Sequence, residues 1–308
     1  KGASKKSVDD DDDDDDDFDE DDMDGDDDNL DDEVAYADKI DAEKKCVMPG
    51  LIDCHSHLIF SGSRCDEFAQ RMNNESYQEI MAKGGGIFST VKSSSMATDE
   101  ELYNQAKSRA NLMLESGVTT LEAKSGYGLC REKELRSLRI LKKLHQDLSI
   151  DIHPTFLAHA IPKEFSKNHP AYLHEILKTL ELVAKENLAI DCDIFCDEGA
   201  FSLEQSIMVL SCAKDLGFGL RAHVQQLGFS DGIKLIEHLP IKSLSHLDFV
   251  KDDDLLVLAK QKTIVEILPF ACLFLRSPSI TPTIKLKSLG IKMAIATDFN
   301  PGSAMCHD

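Results

Sequence analysis

Eight short apolar runs recur along this chain, separated by stretches with helical spacing, and this alternation limits the folds open to it. The runs cover 50–54, 118–123, 150–157, 189–195, 218–223, 242–246, 263–268 and 291–297. The intervening stretches have readable ends. Thr98-Asp-Glu-Glu101 and Ser202-Leu-Glu-Gln205 are capping boxes, opening helices that stop at Gly117 and Gly217. Residues 131–147 and 171–187 space Leu and Ile as helices do. Such alternation closes either as a (β/α)8 TIM-type barrel or as a doubly wound open sheet. The glycine-rich dinucleotide fingerprint of the second is absent, because Gly84-Gly-Gly86 does not directly follow a strand and reads as a loop. The expectation is an α/β chain with a (β/α)8 barrel over 47–308. Only ten residues follow the eighth strand near Asp298, so the barrel is expected to be C-terminally truncated and to lack its last helix.

Charge is distributed very unevenly. The chain of 308 residues carries −22, but residues 1–33 hold 20 acidic residues against three lysines. That stretch therefore carries −17, leaving an ordinary −5 on the other 275 residues. A like-charged run with almost nothing apolar to bury reads as an acidic disordered tail. With no basic stripe to neutralise phosphates, nucleic acid is excluded as a partner. No run is long and apolar enough for a membrane span, so no membrane partner is expected. Nine scattered cysteines without a Cys-x-x-Cys pair suit a reduced, cytoplasmic setting.

The chemistry gathers where strands end. His55-x-His57 closes the first apolar run, and residues two apart on a strand share a face. Further strand ends and the loops behind them hold Arg64, Lys124, Tyr127, His159, Asp197, His223, Gln226, His246, Asp298, Asn300, Gly302 and Ser303. Any one of these is most simply a satisfied polar group. Three histidines and an aspartate at the ends of runs one, five and eight form the ligand set of a catalytic zinc or iron, which assigns His55, His57, His223 and Asp298 to a metal.

At this point the residues resemble a family. The phrases Pro49-Gly-Leu-Ile-Asp-Cys-His-Ser-His57, Gly84-Gly-Gly-Ile-Phe-Ser-Thr-Val91 and Glu122-Ala-Lys-Ser-Gly-Tyr-Gly-Leu129 are similar to those of the amidohydrolase superfamily, and within it of the imidazolonepropionases. So are His159-Ala-Ile-Pro162, Ile194-Phe-Cys196, Ser245-His-Leu247 and Ala296-Thr-Asp-Phe-Asn-Pro-Gly302. The resemblance implies hydrolysis of 4-imidazolone-5-propanoate to N-formimidoyl-L-glutamate in histidine degradation, with one divalent ion, zinc or iron. Hydroxide on that ion would attack the lactam carbonyl. His246, Asp298 and Gln226 are then the catalytic set. Arg64, Tyr127, His159, Gln226, Asn300, Gly302 and Ser303 bind the small-molecule substrate. Arg64 suits the propionate carboxylate through bidentate hydrogen bonds. Residues 34–46 read as a remnant or linker of the family's small β-domain, and association into a homodimer stays open. Two alternatives are carried. One is an inactive or partner-dependent truncated barrel with an acidic interaction tail. The other is a mononuclear deaminase, which needs a glutamate where this chain has Gln226.

Overall fold

Every apolar run becomes a strand, shifted by at most two residues at either end. The computed structural model describes residues 40–75, 79, 80 and 83–307. The strands are β1 (Leu51–Asp53), β2 (Val118–Lys124), β3 (Asp151–Ala158), β4 (Asp191–Cys196), β5 (Gly219–Val224), β6 (Ile241–His246), β7 (Ile264–Ile267) and β8 (Met293–Ile295). They form one parallel sheet in sequence order. The connections hold α1 (Cys65–Met72), α2 (Ile87–Met96), α3 (Asp99–Glu115), α4 (Arg131–Asp147), α5 (His169–Lys185) and α6 (Leu203–Asp215). After these come α7 (Leu235–His238), α8 (Asp252–Leu258), α9 (Pro269–Leu275) and α10 (Thr283–Ser288).

Both capping boxes form: Thr98 Oγ1 accepts from the Glu101 N–H and Ser202 Oγ from the Gln205 N–H, each over 3.2 Å. Such a cap contributes about 1 kcal/mol to its helix. The helix expected over 171–187 begins at His169 instead, because the Asn168 side chain caps the Ala171 N–H and a proline occupies its first turn.

Strand parity sorts the side chains. Leu121 and Ala123 of β2, Cys192 and Ile194 of β4, Leu220, Ala222 and Val224 of β5, Leu244 of β6 and Val265 of β7 belong to the apolar core. The alternate positions carry Glu122, Lys124, Asp191, Asp193, Arg221, His223, Ser243, Ser245 and Glu266. These bond to one another within and between strands, some reaching past a neighbour, as Lys124 of β2 does to Asp193 of β4 and Arg221 of β5 to Glu266 of β7. Where branched aliphatic side chains commonly fill such a barrel, this one is filled by ion pairs.

The two end strands, β1 and β8, share no ladder. They are joined just beyond their ends, where the Asp298 N–H donates to the His55 carbonyl (3.0 Å) and the His57 N–H to the Phe299 carbonyl (2.9 Å). Thr297 Oγ1 adds a bond to Asp53 Oδ2 over 2.6 Å. On the outside of this seam Ile52 and Ile295 are both about two-thirds exposed (67% and 68%). Among the described residues no helix follows β8.

The barrel belongs to a compact unit over 49–308. Of the preceding unit, residues 40–48 form a turn and no strand. The acidic tail read over 1–33, and the part of the β-domain remnant up to 39, lie outside the described residues. Among the described residues no helix is long and apolar enough to cross a membrane.

Candidate active site

The C-terminal ends of the strands meet at a cavity with about 570 Å³ of empty space, open mouth included. Its walls include His57, Arg64, Tyr127, His159, His223, Gln226, His246, Asp298, Asn300, Gly302 and Ser303. Every residue assigned a site role from the sequence is therefore brought to one place except His55, which is fully buried behind them; Lys124 and Asp197, also read at strand ends, do not line the cavity. Ile87, Phe195, Leu227 and Leu275 complete the wall.

His55, His57 and His223 each offer a ligand atom within 4.8 Å of the others'. Carboxylates aim two of these rings. His55 Nδ1 is 2.9 Å from Glu266 Oε2 and 3.0 Å from Ser245 Oγ, and His223 Nδ1 is 2.9 Å from Asp193 Oδ1. The opposite nitrogens, Nε2 of His55 and of His223, are buried, and that of His223 has no hydrogen-bond partner. Asp298 Oδ1 stands 3.4 Å from His55 Nε2 and 3.3 Å from His57 Nε2. Buried nitrogens facing one point, each fixed from behind by a carboxylate, form the arrangement that a metal-ligating histidine requires.

The charges agree. Glu122, Asp191, Asp193, Glu266 and Asp298 are buried together, and the cations paired with them are the buried Lys124, the part-buried Arg221 and the exposed Lys242. Burial alone would raise the pKa of Asp298, but hydrogen bonds and charge from His55 and His57 hold it well below the carboxylate range. Burial lowers His57 to about 4 and takes His159 and His246 well below the usual imidazole value, so all three are neutral at pH 7. For His55, burial and Lys124 act downward, yet Asp298 and Glu266 outweigh them and raise it to about 9. A proton on His55 thus balances the surplus of negative charge. A divalent cation fits the same donors and the same charge.

Strand ends carry these groups on sharply turned backbone. Gln225, His246, Leu247 and Asp298 have φ of 54°, 75°, 57° and 52°, a left-handed region seldom used by non-glycine residues. The Asp298 turn is held by its bond to His55, and that at His246 by Thr281 Oγ1, which donates to the His246 carbonyl over 2.8 Å.

Three buried carboxylates hold the pocket loops, and of these only Asp197 stood among the strand-end groups read from the sequence. Glu134 accepts from the N–H groups of Gly126, Gly128 and Leu129 and so fixes the turn bearing Tyr127. Asp197 Oδ2 accepts from the N–H groups of Gln226 and Leu227, at 2.7 and 2.9 Å. Glu67 binds Arg64 itself, Nε at 3.0 Å and Nη2 at 2.8 Å. The two-donor carboxylate contact expected of Arg64 is thus made first inside the protein, through one edge of the guanidinium. The signal for the ion network under the histidines was strand parity, since Glu122, Lys124, Asp193, Arg221 and Glu266 interrupt apolar strands on the inward face. For Glu67 and Glu134 the only signal was a first-turn position on a helix that follows a pocket loop.

Solved structures share this architecture. Guanine deaminase from C. acetobutylicum superposes with a TM-score of 0.64 at 13% identity, covering 89% of this chain and 66% of that one. Atrazine chlorohydrolase from Arthrobacter aurescens, complexed with zinc, gives 0.58 at 13% identity, covering 83% and 61%. Fold and site together define a (β/α)8 barrel with a buried histidine cluster at the C-terminal ends of its strands. No family model matches the chain. The imidazolonepropionase of Clostridium tetani is 42% identical over 266 residues, 86% of this chain and 63% of that protein. That of Vibrio parahaemolyticus is 41% identical over 275 residues (89% and 66%), and that of Idiomarina loihiensis 42% over 274 (88% and 67%). The chain belongs to the imidazolonepropionase family. It spans 63% to 67% of the length of these curated relatives.

Proposed function

We propose that this chain hydrolyses 4-imidazolone-5-propanoate to N-formimidoyl-L-glutamate. The observation that carries the reading is the convergence on one cavity of the buried imidazole cluster, Asp298 and Arg64. His55, His57, His223 and Asp298 are the proposed ligands of one divalent ion, zinc or iron. Such an ion lowers the pKa of a bound water towards ~7 and polarises a carbonyl oxygen.

The protein's own groups do the rest. Asp298, kept ionised by its histidine neighbours, accepts a proton from the attacking water and returns it to the ring nitrogen as the carbon–nitrogen bond breaks. The carbonyl carbon becomes the new carboxylate, and the nitrogen stays on the formimidoyl group. His246, neutral because burial depresses its pKa, donates a hydrogen bond to the oxygen that gains charge. Arg64 holds the propionate carboxylate. Tyr127 and His159, whose ring stacks on His57 at 5.7 Å between centroids, grip the imidazolone. Gln226, Asn300, Gly302 and Ser303 line the ring and product side. Gln226 is an amide and cannot shuttle a proton as a glutamate would, which disfavours deamination. A cytoplasmic location and a small-molecule partner belong to the same proposal.

Incubation of the purified chain with imidazolone propionate tests it, following loss of the ultraviolet absorbance with bound metal measured in the same sample. Turnover with about one ion per chain is the expected result. Folded protein with bound metal but no turnover sinks the reaction; folded protein without metal favours the non-catalytic barrel.

A further inference from the structure

We propose that Glu67 is a positioning residue that presents Arg64 to a substrate carboxylate, and thereby sets the preference for a ring bearing a propionate arm. This rests on the role proposed above for Arg64 and extends it by one residue.

Glu67 lies in the first turn of α1, three residues after Arg64, with its side chain 9% exposed. Oε2 takes both Arg64 hydrogen bonds, while Oε1 accepts from the Gly86 N–H over 3.0 Å. Arg71 Nη1 stands 4.0 Å from the same Oε2, and Arg71 Nη2 donates to the Gly302 carbonyl over 2.8 Å. One carboxylate therefore ties Arg64 to the backbone at 86 and lies beside Arg71, which bonds the 302 turn.

Gly302 completes the seat. A Cβ there would lie 2.0 Å from Arg64 Nη1, so the guanidinium rests directly on the glycine main chain. With Nε and one Nη2 hydrogen committed to Glu67, the remaining edge is Nη1 plus the second Nη2 hydrogen. That pair is a two-donor fork of the geometry a carboxylate accepts. Because Arg64 is already held, substrate binding does not have to order a long flexible side chain.

Two effects of removing Glu67 have opposite signs, which makes the proposal decidable. Loss of its negative charge strengthens the attraction of Arg64 for an anion; loss of its positioning weakens carboxylate binding. The experiment is calorimetric titration of the metal-replete chain with imidazole propionate and with 4-methylimidazole, which has the ring without the carboxylate. The variants are E67Q, E67A, R64A, R64A/E67A and G302A. E67A and G302A are expected to weaken imidazole propionate roughly tenfold while leaving 4-methylimidazole within about twofold. E67A is expected to add nothing in the R64A background. G302A displaces Arg64 without touching Glu67, so the test does not depend on E67A folding. Unchanged or tighter imidazole propionate binding in E67A and E67Q overturns the proposal, as does equal weakening of both ligands. If the unaltered chain does not prefer imidazole propionate, the Arg64 role and this inference fall together. If it does prefer it yet hydrolyses nothing, only the reaction fails and the Glu67 comparison still decides.

Discussion

The backbone N–H of Asp298 donates to the carbonyl oxygen of His55 over 3.0 Å, so the residues at the heart of the site are also the seam of the barrel. Their side chains meet on the same seam, with Asp298 Oδ1 3.4 Å from His55 Nε2. Folding and site assembly are consequently one event: the ligand set is complete only when the first strand has reached the last.

The seam is testable through Thr297, which is not itself a proposed ligand. Thr297→Val removes the bond from Oγ1 to Asp53 Oδ2 and leaves a buried carboxylate short of a donor. A loss of about 1–3 kcal/mol in urea unfolding is expected, together with weaker metal retention. Unaltered stability and metal content in that variant would show that the two main-chain bonds suffice.

Asp193 aims His223 by accepting at Nδ1, so Asp193→Asn is expected to lower metal affinity by about 10–100-fold. Competition with a chromogenic chelator measures it. His223→Ala, which removes a proposed ligand outright, is expected to abolish stoichiometric binding.

Lys124 is fully buried and lies 2.9 Å from both Glu122 and Asp193. Lys124→Met leaves two buried carboxylates without their cation, an imbalance that costs about 3–5 kcal/mol. Denaturant unfolding of the metal-free protein at pH 7 isolates this from metal effects. Wild-type stability in that variant would mean that Arg221 and Lys242 suffice to balance the network.

The pH dependence follows from His55, raised to about 9 in the metal-free protein against 6.5 when unfolded. The folded state binds this proton more tightly. Its contribution to stability is therefore complete below pH 6.5 and is lost as pH rises through about 9. Metal uptake has the opposite trend, because a ligand must shed its proton. About one proton released per ion near pH 7, and affinity rising about tenfold per pH unit up to about 9, are expected. Calorimetry in buffers of different ionisation enthalpy counts the protons; none released would place the metal away from His55.

Much of this was readable along the chain, and for stated reasons. Alternation of apolar runs with capped helices determined the eight strands and their order, since each element's signal is local. Two-residue spacing put His55 and His57 on one face, and a strand-end position marked His223 and Asp298 as their companions. Strand parity also carries Glu122, Lys124, Asp193, Arg221 and Glu266 on the face opposite the apolar set, a signal the sequence reading left unused. What parity cannot supply is the neighbour. Glu266 lies 211 residues from His55 and Asp193 30 residues from His223, and only closure of the sheet in this register pairs each carboxylate with its imidazole. Arg64 shows the same division at short range. Its charge was evident in the sequence, but which edge of the guanidinium is free was decided by the packing of α1 against the 302 turn, where hydrogen-bond geometry rather than residue type sets what the side chain can still hold.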